Sequence, residues 1–159
     1  MKKIKDTGCC VQIKPKKWDK KIHNWKKKPF YKTKYIHLFH IPLNYGQAIM
    51  GAVKKLEPKK LIKRDSMCIS LEDGLFTSTL LIEMTKNAEN LPVQKISGKY
   101  FSMIFKGDYK DTGKWVETFK KECKKKKYPL NKLMFWFATC PKCAEAYGGA
   151  QTIIFTKIK

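Results

Sequence analysis

Lys99-Tyr100-Phe101-Ser102-Met103-Ile104-Phe105-Lys106, continuing as Gly107-Asp108-Tyr109-Lys110-Asp111-Thr112-Gly113-Lys114-Trp115, is the stretch whose reading decides the fold. Phe101, Met103 and Phe105 fall on alternate residues, the period of a strand with one face buried. Past Gly107 the period changes. Trp115, Val116, Phe119 and Cys123 recur at helical spacing, with Asp111 placed to cap that helix and a lysine run plus Pro129 to end it. Residues 133–138 then read as a strand and 151–158 as another, giving the order strand, helix, strand, strand.

The same order is written upstream. Residues 34–41 (Tyr35, Ile36, His37, Leu38, Phe39, His40) predict a strand. Asn44 predicts the cap of a helix carrying Ala48, Ile49, Ala52, Val53 and Leu56, closed by Pro58. Residues 67–71 and 76–84 predict two strands joined by a turn at Glu72-Asp73-Gly74, and 87–92 a polar connection. The fold expected is therefore α+β: one domain over 1–159, with an irregular arm at 1–31 and two strand–helix–strand–strand halves at 32–92 and 93–159. The halves read as a duplication forming one antiparallel-rich sheet, with helices on one face and a groove on the other. In the arm, Pro15 and Pro29 argue against a long helix, and Trp18 and Trp25 read as pegs pinning it to the body. Both faces of 133–138 are apolar, so the face away from the helix must be covered by the arm or line a pocket.

A chain of 159 residues can bury a core without disulfides or metal staples. No apolar run approaches membrane-spanning length, and the lysines at the start are followed by no apolar stretch, so a cytoplasmic protein with reduced cysteines is expected. The formal charge of +22 is almost all lysine, Arg64 being the only arginine. Readers of bases and phosphates rely on the arginine fork, so nucleic-acid contact is expected to be non-specific and salt-sensitive.

Chemistry concentrates at Thr139-Cys140-Pro141-Lys142-Cys143-Ala144. Two thiols at this spacing can hold a metal, pair with each other, or divide the roles of nucleophile and resolving thiol. A closed metal site needs four ligands, and Cys9, Cys10 or His40 can complete it. The sequence names no cofactor; zinc is the ion such a set takes. Cys68 and Cys123 read as core. His40, at a strand end, has an unperturbed pKa near neutrality and can serve as base or ligand. Glu83 is the one acid in an apolar strand; burial in a groove would suit it to activating water. A groove between the halves would be lined by Trp136, Tyr100 and Tyr147.

The run from Gly107 to Trp115 resembles the Gly-Pro-Tyr strand-to-helix signature of GyrI-like, bacterial effector-binding domains, with Asp108 in the proline's place. More closely, Gly8-Cys9-Cys10, Trp18, Trp25, His40-Ile41-Pro42-Leu43-Asn44-Tyr45-Gly46, Gly113-Lys114-Trp115, Cys140-Pro141-Lys142-Cys143-Ala144 and Tyr147-Gly148 are similar to a stand-alone branch often labelled hydrolase. The resemblance implies duplicated units around a small-molecule cleft. It makes Tyr109 a ligand contact, a hydrophobic small molecule the partner, and hydrolysis of a bound electrophile an activity that some relatives carry.

Overall fold

The computed structural model describes residues 10–38, 41–71 and 74–159, with the backbone alone at 41 and 42. In chain order the elements are β1 (Lys21–Leu38), β2 (Ile41–Pro42), α1 (Tyr45–Leu56), β3 (Cys68–Leu71), β4 (Thr77–Glu83), β5 (Val93–Gly107), α2 (Thr112–Lys125), β6 (Met134–Phe137), α3 (Pro141–Tyr147) and β7 (Ala150–Lys157). They form two compact units. One is Lys26–Ser97; the other is Gly98–Lys159 together with the described residues up to Trp25. No helix among the described residues is long and apolar enough to cross a membrane.

In the Lys26–Ser97 unit, β4 is flanked by antiparallel partners on both sides. Its pairing with β1 runs from Phe30↔Glu83 to Ile36↔Thr77, and its pairing with β3 from Cys68↔Ile82 to Leu71↔Thr79. Alternation puts Tyr31 and Tyr35 on the same face as Leu80 and Ile82, and Ala52 and Leu56 of α1 pack there. Asn44 stands at the N-cap of α1, but its side chain accepts from the Ile36 amide at 2.5 Å and so ties the helix start to β1.

The second unit pairs β7 antiparallel with β5, from Tyr100↔Lys157 to Gly107↔Ala150, and with β6, from Met134↔Phe155 to Phe137↔Thr152. Phe101, Met103 and Ile154 meet Phe119 and Cys123 of α2, with Phe101 stacked on Phe119 at 5.6 Å. Asp111 occupies the N-cap without a side-chain cap bond. Asp108 does the local work instead, accepting from the Lys110 amide and starting a single 3₁₀ turn, Tyr109–Asp111, that feeds the helix.

Two expectations are corrected. The arm is not irregular to residue 31, because β1 begins at Lys21 and runs 18 residues. His23 and Trp25 alternate inward between exposed Ile22, Asn24 and Lys26, a strand signal diluted by the surrounding lysines. Pro29 is tolerated since a strand residue can dispense with its donor, and its carbonyl accepts from the Met84 amide at 3.1 Å. The cysteine segment, left without an element between the strands expected at 133–138 and 151–158, is likewise a short helix. Pro141 fills its first turn, and Gly148, at φ 74°, ends it in the left-handed region where a side chain would be strained.

The sheet face away from α2 carries Tyr100, Ser102, Met134, Trp136 and Phe155, and the chain's own aromatics roof it. Trp25 stacks on Tyr100 at 4.7 Å, while Trp18 meets Trp136 edge-on at 5.3 Å and Phe155 at 5.9 Å. Ser102 Oγ donates to the Trp18 carbonyl at 2.7 Å, using its only proton. His23 Nε2, 2.7 Å away, must therefore be the protonated nitrogen that donates to Ser102. Of the two outcomes open for an apolar second face, covering by the N-terminal residues is the one observed.

Candidate functional site

Cys140 is the N-cap residue of α3 and Cys143 lies in its first turn, so one short helix presents both thiols on the same side. The third thiol, from Cys10, arrives from far away in sequence. The three Sγ atoms lie within 4.8 Å of one another. Two backbone amides point at sulfur: Cys140 N–H donates to Cys10 Sγ at 3.4 Å, and Cys143 N–H to Cys140 Sγ at 3.5 Å. Cys143 is 1% exposed, whereas Cys10 and Cys140 are partly exposed. Such a group can share one metal ion or exchange thiol partners.

Hydrogen bonds hold Cys10 in place. Tyr147, 3% exposed, donates its hydroxyl to the Cys10 carbonyl at 2.5 Å. Gln151 grips Ile13 twice, accepting from its amide at 2.8 Å and donating to its carbonyl at 2.9 Å. On the other flank the Tyr109 hydroxyl donates to the Thr139 carbonyl and accepts from the Thr139 amide at 3.3 Å. Burial pushes the Cys10 thiol well above its ordinary value, and the adjoining thiols of Cys143 and Cys140 add to the rise. Burial likewise raises Tyr109 to about 12.

The remaining expected site residues are dispersed. Trp136 and Tyr100 are 5% and 7% exposed beneath Trp18 and Trp25. Tyr109 is half-buried, edge-on to Phe137 at 5.6 Å. Glu83 binds Lys28 Nζ through Oε2 at 2.7 Å and accepts from the Met67 amide through Oε1 at 3.1 Å, beside a polar cavity of about 300 Å³. Burial first, and that carboxylate second, lift Cys68 to about 12. His40 and Cys9 fall outside the described residues.

Sequence reasoning passed over a row of half-buried rings on the α2 face. Phe105 stacks on Trp115 at 5.9 Å, and Phe135 on Phe137 at 5.8 Å. Phe105 and Phe137 are both register partners of Thr152, on either side of β7. Thr152 is fully buried and its Oγ1 has no hydrogen-bond partner among the described residues. The signal available was the alternation of Phe135 and Phe137 with Phe105, but a hydroxyl left unsatisfied is a three-dimensional fact. His37 was read only as a strand residue; it is buried, with Nδ1 2.8 Å from Ser78 Oγ and Nε2 3.1 Å from the Gly74 and Leu75 carbonyls.

Among solved structures, the C-terminal domain of EcmrR matches with a TM-score of 0.62 at 11% identity, over 87% of this chain and 96% of that one. The longer EcmrR chain in a DNA complex gives 0.64 at 13% identity, over 87% of this chain. This chain therefore spans only 56% of its length. A hydrolase from Listeria innocua matches at 0.60 and 9% identity, covering 89% and 93% of the two chains. SAV2435, solved bound to tetraphenylphosphonium, matches at 0.52 and 12%, covering 87% and 93%. Likeness at such identities establishes the fold. A probable inactive serine/threonine-protein kinase of Dictyostelium discoideum is 27% identical over 85 residues, which are 54% of this chain and 39% of the kinase. The family model described as bacterial hydrolase matches residues 1–158, so the chain belongs to that family.

Proposed function

We propose that the protein binds a hydrophobic, ring-bearing small molecule, neutral or anionic, through the aromatic row of the Gly98–Lys159 unit. The observation that carries this reading is the set of half-buried rings Phe105, Trp115, Phe137 and Tyr109, of which Phe105 and Phe137 flank the buried, unpartnered Thr152 on the neighbouring strands. Aromatic walls supply apolar area at about 25 cal/mol per Å² before the costs of association, and one or two polar atoms supply orientation. Trp136, Tyr100 and Tyr147 act as the rigid backing of that unit. The fold shared with SAV2435, whose structure holds a lipophilic cation, supports small-molecule binding as the general role. The charge preference is this chain's own: at +22, its field repels a cation and attracts an anion of the same shape.

Tetraphenylborate and tetraphenylphosphonium are near-isosteres of opposite charge and test this directly. Calorimetry at physiological salt should give the borate at least about tenfold the affinity, and Phe137→Ala should weaken it about tenfold, the equivalent of ~1.4 kcal/mol. Equal affinities, or a preference for the phosphonium, would reverse the charge assignment. Borate binding untouched by Phe137→Ala would move the site off the aromatic row.

Hydrolysis of a bound electrophile is the second reading, favoured by the polar cavity beside Glu83. In it Glu83 activates water and His40 handles the second proton. The Lys28 pairing counts against a free base at Glu83, so binding stands first. Turnover of reactive esters that Glu83→Gln abolishes, with ligand binding intact, would reorder the two. Leaving aside the two-residue β2 and the short α3, β1–α1–β3–β4 and β5–α2–β6–β7 share the order strand, helix, strand, strand, with β4 and β7 each paired on both sides; we read this as a duplication. Contacts with nucleic acid are proposed to remain weak and salt-sensitive, because the charge is lysine rather than arginine.

A further inference from the structure

Cys10, Cys140 and Cys143 are not used by the aromatic row, and their arrangement goes beyond three thiols that happen to be near. Two segments more than a hundred residues apart deliver the sulfurs to one point, within 4.8 Å of each other. Each segment is held in place. α3 is set by its proline start and left-handed glycine end, and residues 10–13 by Tyr147 and Gln151. Two sulfurs also receive backbone N–H donors, at 3.4 and 3.5 Å. Donors aimed at sulfur favour a charged thiolate and orient its remaining lone pairs, the task of outer-shell hydrogen bonds around a bound metal.

We propose that Cys10, Cys140 and Cys143 bind one thiophilic d¹⁰ cation of the Zn²⁺ type through three thiolates, and that this ion locks residues 10–13 onto the β6–β7 connection. Zinc–sulfur bonds of about 2.3 Å place tetrahedral sulfurs roughly 3.8 Å apart. The cluster need close by no more than about 1 Å from its present span, a rotamer adjustment rather than a backbone movement. Each thiol gives its proton to solvent as its metal–sulfur bond forms, and no electron changes hands. Three protein ligands leave the fourth position to water or a small exogenous donor, the arrangement of an open rather than a closed site. The half-exposed rim at Cys10 and Cys140 gives the ion a way in.

The test uses the full chain, reduced with a phosphine and stripped of metal. Cobalt(II) should bind one equivalent and give the near-ultraviolet sulfur-to-metal band of thiolate coordination, and zinc should displace it. Zinc should also raise Tm by about 5 °C or more, since only the folded chain assembles the three sulfurs. Cys10→Ser and Cys140→Ser should each lose the band and the Tm rise, while Cys68→Ser and Cys123→Ser keep both. A reduced protein that gives no band and no Tm shift with cobalt or zinc overturns the proposal. So does a cobalt band that survives Cys10→Ser and Cys140→Ser. Copper(I) bound in preference to zinc, and lost with the same two variants, keeps the three-thiolate site and changes only the ion. A disulfide among these cysteines formed in air, with no ion taken up after reduction, would replace the metal site by a redox pair. Borate binding measured on Cys10→Ser keeps this outcome separate from the aromatic row, because that affinity should not change.

Discussion

The two units are built alike and finished differently. In Lys26–Ser97 β4, and in the other unit β7, is paired antiparallel on both sides, and one amphipathic helix covers one face. The differences lie in two places. Between its last two strands, Lys26–Ser97 makes only the short passage from β3 to β4, whereas the other unit inserts α3 and its two thiols between β6 and β7. And the latter takes an N-terminal segment, with Trp18, His23 and Trp25, onto its second sheet face. The two thiols of α3 thus sit on a connection, which can lengthen without disturbing the ladder.

The comparison of the two units predicts its largest effect when a ring is removed from beneath the aromatic roof of the Gly98–Lys159 sheet. Trp136→Ala leaves a cavity under Trp18, beside Phe155, and should cost about 3–5 kcal/mol by denaturant unfolding. If Trp136 instead met a ligand and not the chain's own rings, the variant would unfold at nearly the native midpoint and lose only binding. A normal midpoint would therefore sink the roofed-face account.

Each core also holds one thiol, Cys68 near α1 and Cys123 on α2, and burial raises both. The folded state favours protonated Cys68, whose pKa moves from 9.0 to about 12. Its contribution is complete below pH 9 and is lost as pH climbs toward 12. Between pH 8 and 10.5 wild type should lose about 1–2 kcal/mol more than Cys68→Ala, because each tenfold change in proton affinity is worth ~1.4 kcal/mol. Parallel pH profiles for the two proteins would mean that Cys68 meets water in the folded state.

Periodicity carried the frame because strand and helix periods differ and each survives a few intrusions. Phe101, Met103 and Phe105 against Trp115, Val116 and Phe119 left little ambiguity, and the helices at 45–56 and 112–125 follow their stripes. It failed where the pattern was short or diluted. Seven residues of α3 span two turns, too few for a stripe, although Pro141 and Gly148 were its punctuation. Lysines at 16, 17, 20, 21 and 26–28 hid the alternation of His23 and Trp25. Which face of residues 133–138 would be covered was undecidable from composition, since Trp136 and Phe137 are equally apolar. Only the fold sets one under Trp18 and the other beside Tyr109. The meeting of Cys10 with Cys140 and Cys143 was legible in the spacing of the thiols, whereas the bonds that hold it, from Gln151 to Ile13 and from Tyr147 to the Cys10 carbonyl, were not.

Each unit also buries one hydroxyl without a hydrogen-bond partner among the described residues, on Ser70 in β3 and on Thr152 in β7. An orphan hydroxyl costs about 1–3 kcal/mol, so an apolar replacement of the same shape should be neutral or stabilising by up to about 1 kcal/mol. Ser70→Ala and Thr152→Val should therefore behave alike in unfolding. In ligand binding they should part: Thr152→Val weakens the borate several-fold and Ser70→Ala does nothing. Identical binding by both variants would deprive Thr152 of its role as the polar contact.

The smallest effect expected is at Glu83, and its smallness is informative. The Lys28 pair is part-exposed, with 29% and 23% of the two side chains accessible, so its screened attraction is worth at most about 1 kcal/mol. Glu83→Gln keeps an oxygen for the Met67 amide, so that bond survives and only the charge is lost. Removing the carboxylate also relieves the like-charge pressure on the Cys68 thiolate, which should label slightly faster with iodoacetamide above pH 9. Unfolding should therefore shift by less than about 1 kcal/mol, borate affinity should stay within about twofold, and Cys68 labelling should rise. A loss several times larger would make the Lys28–Glu83 pair a structural clamp of the Lys26–Ser97 unit. That unit would then owe its stability to charge where its counterpart relies on the aromatic roof.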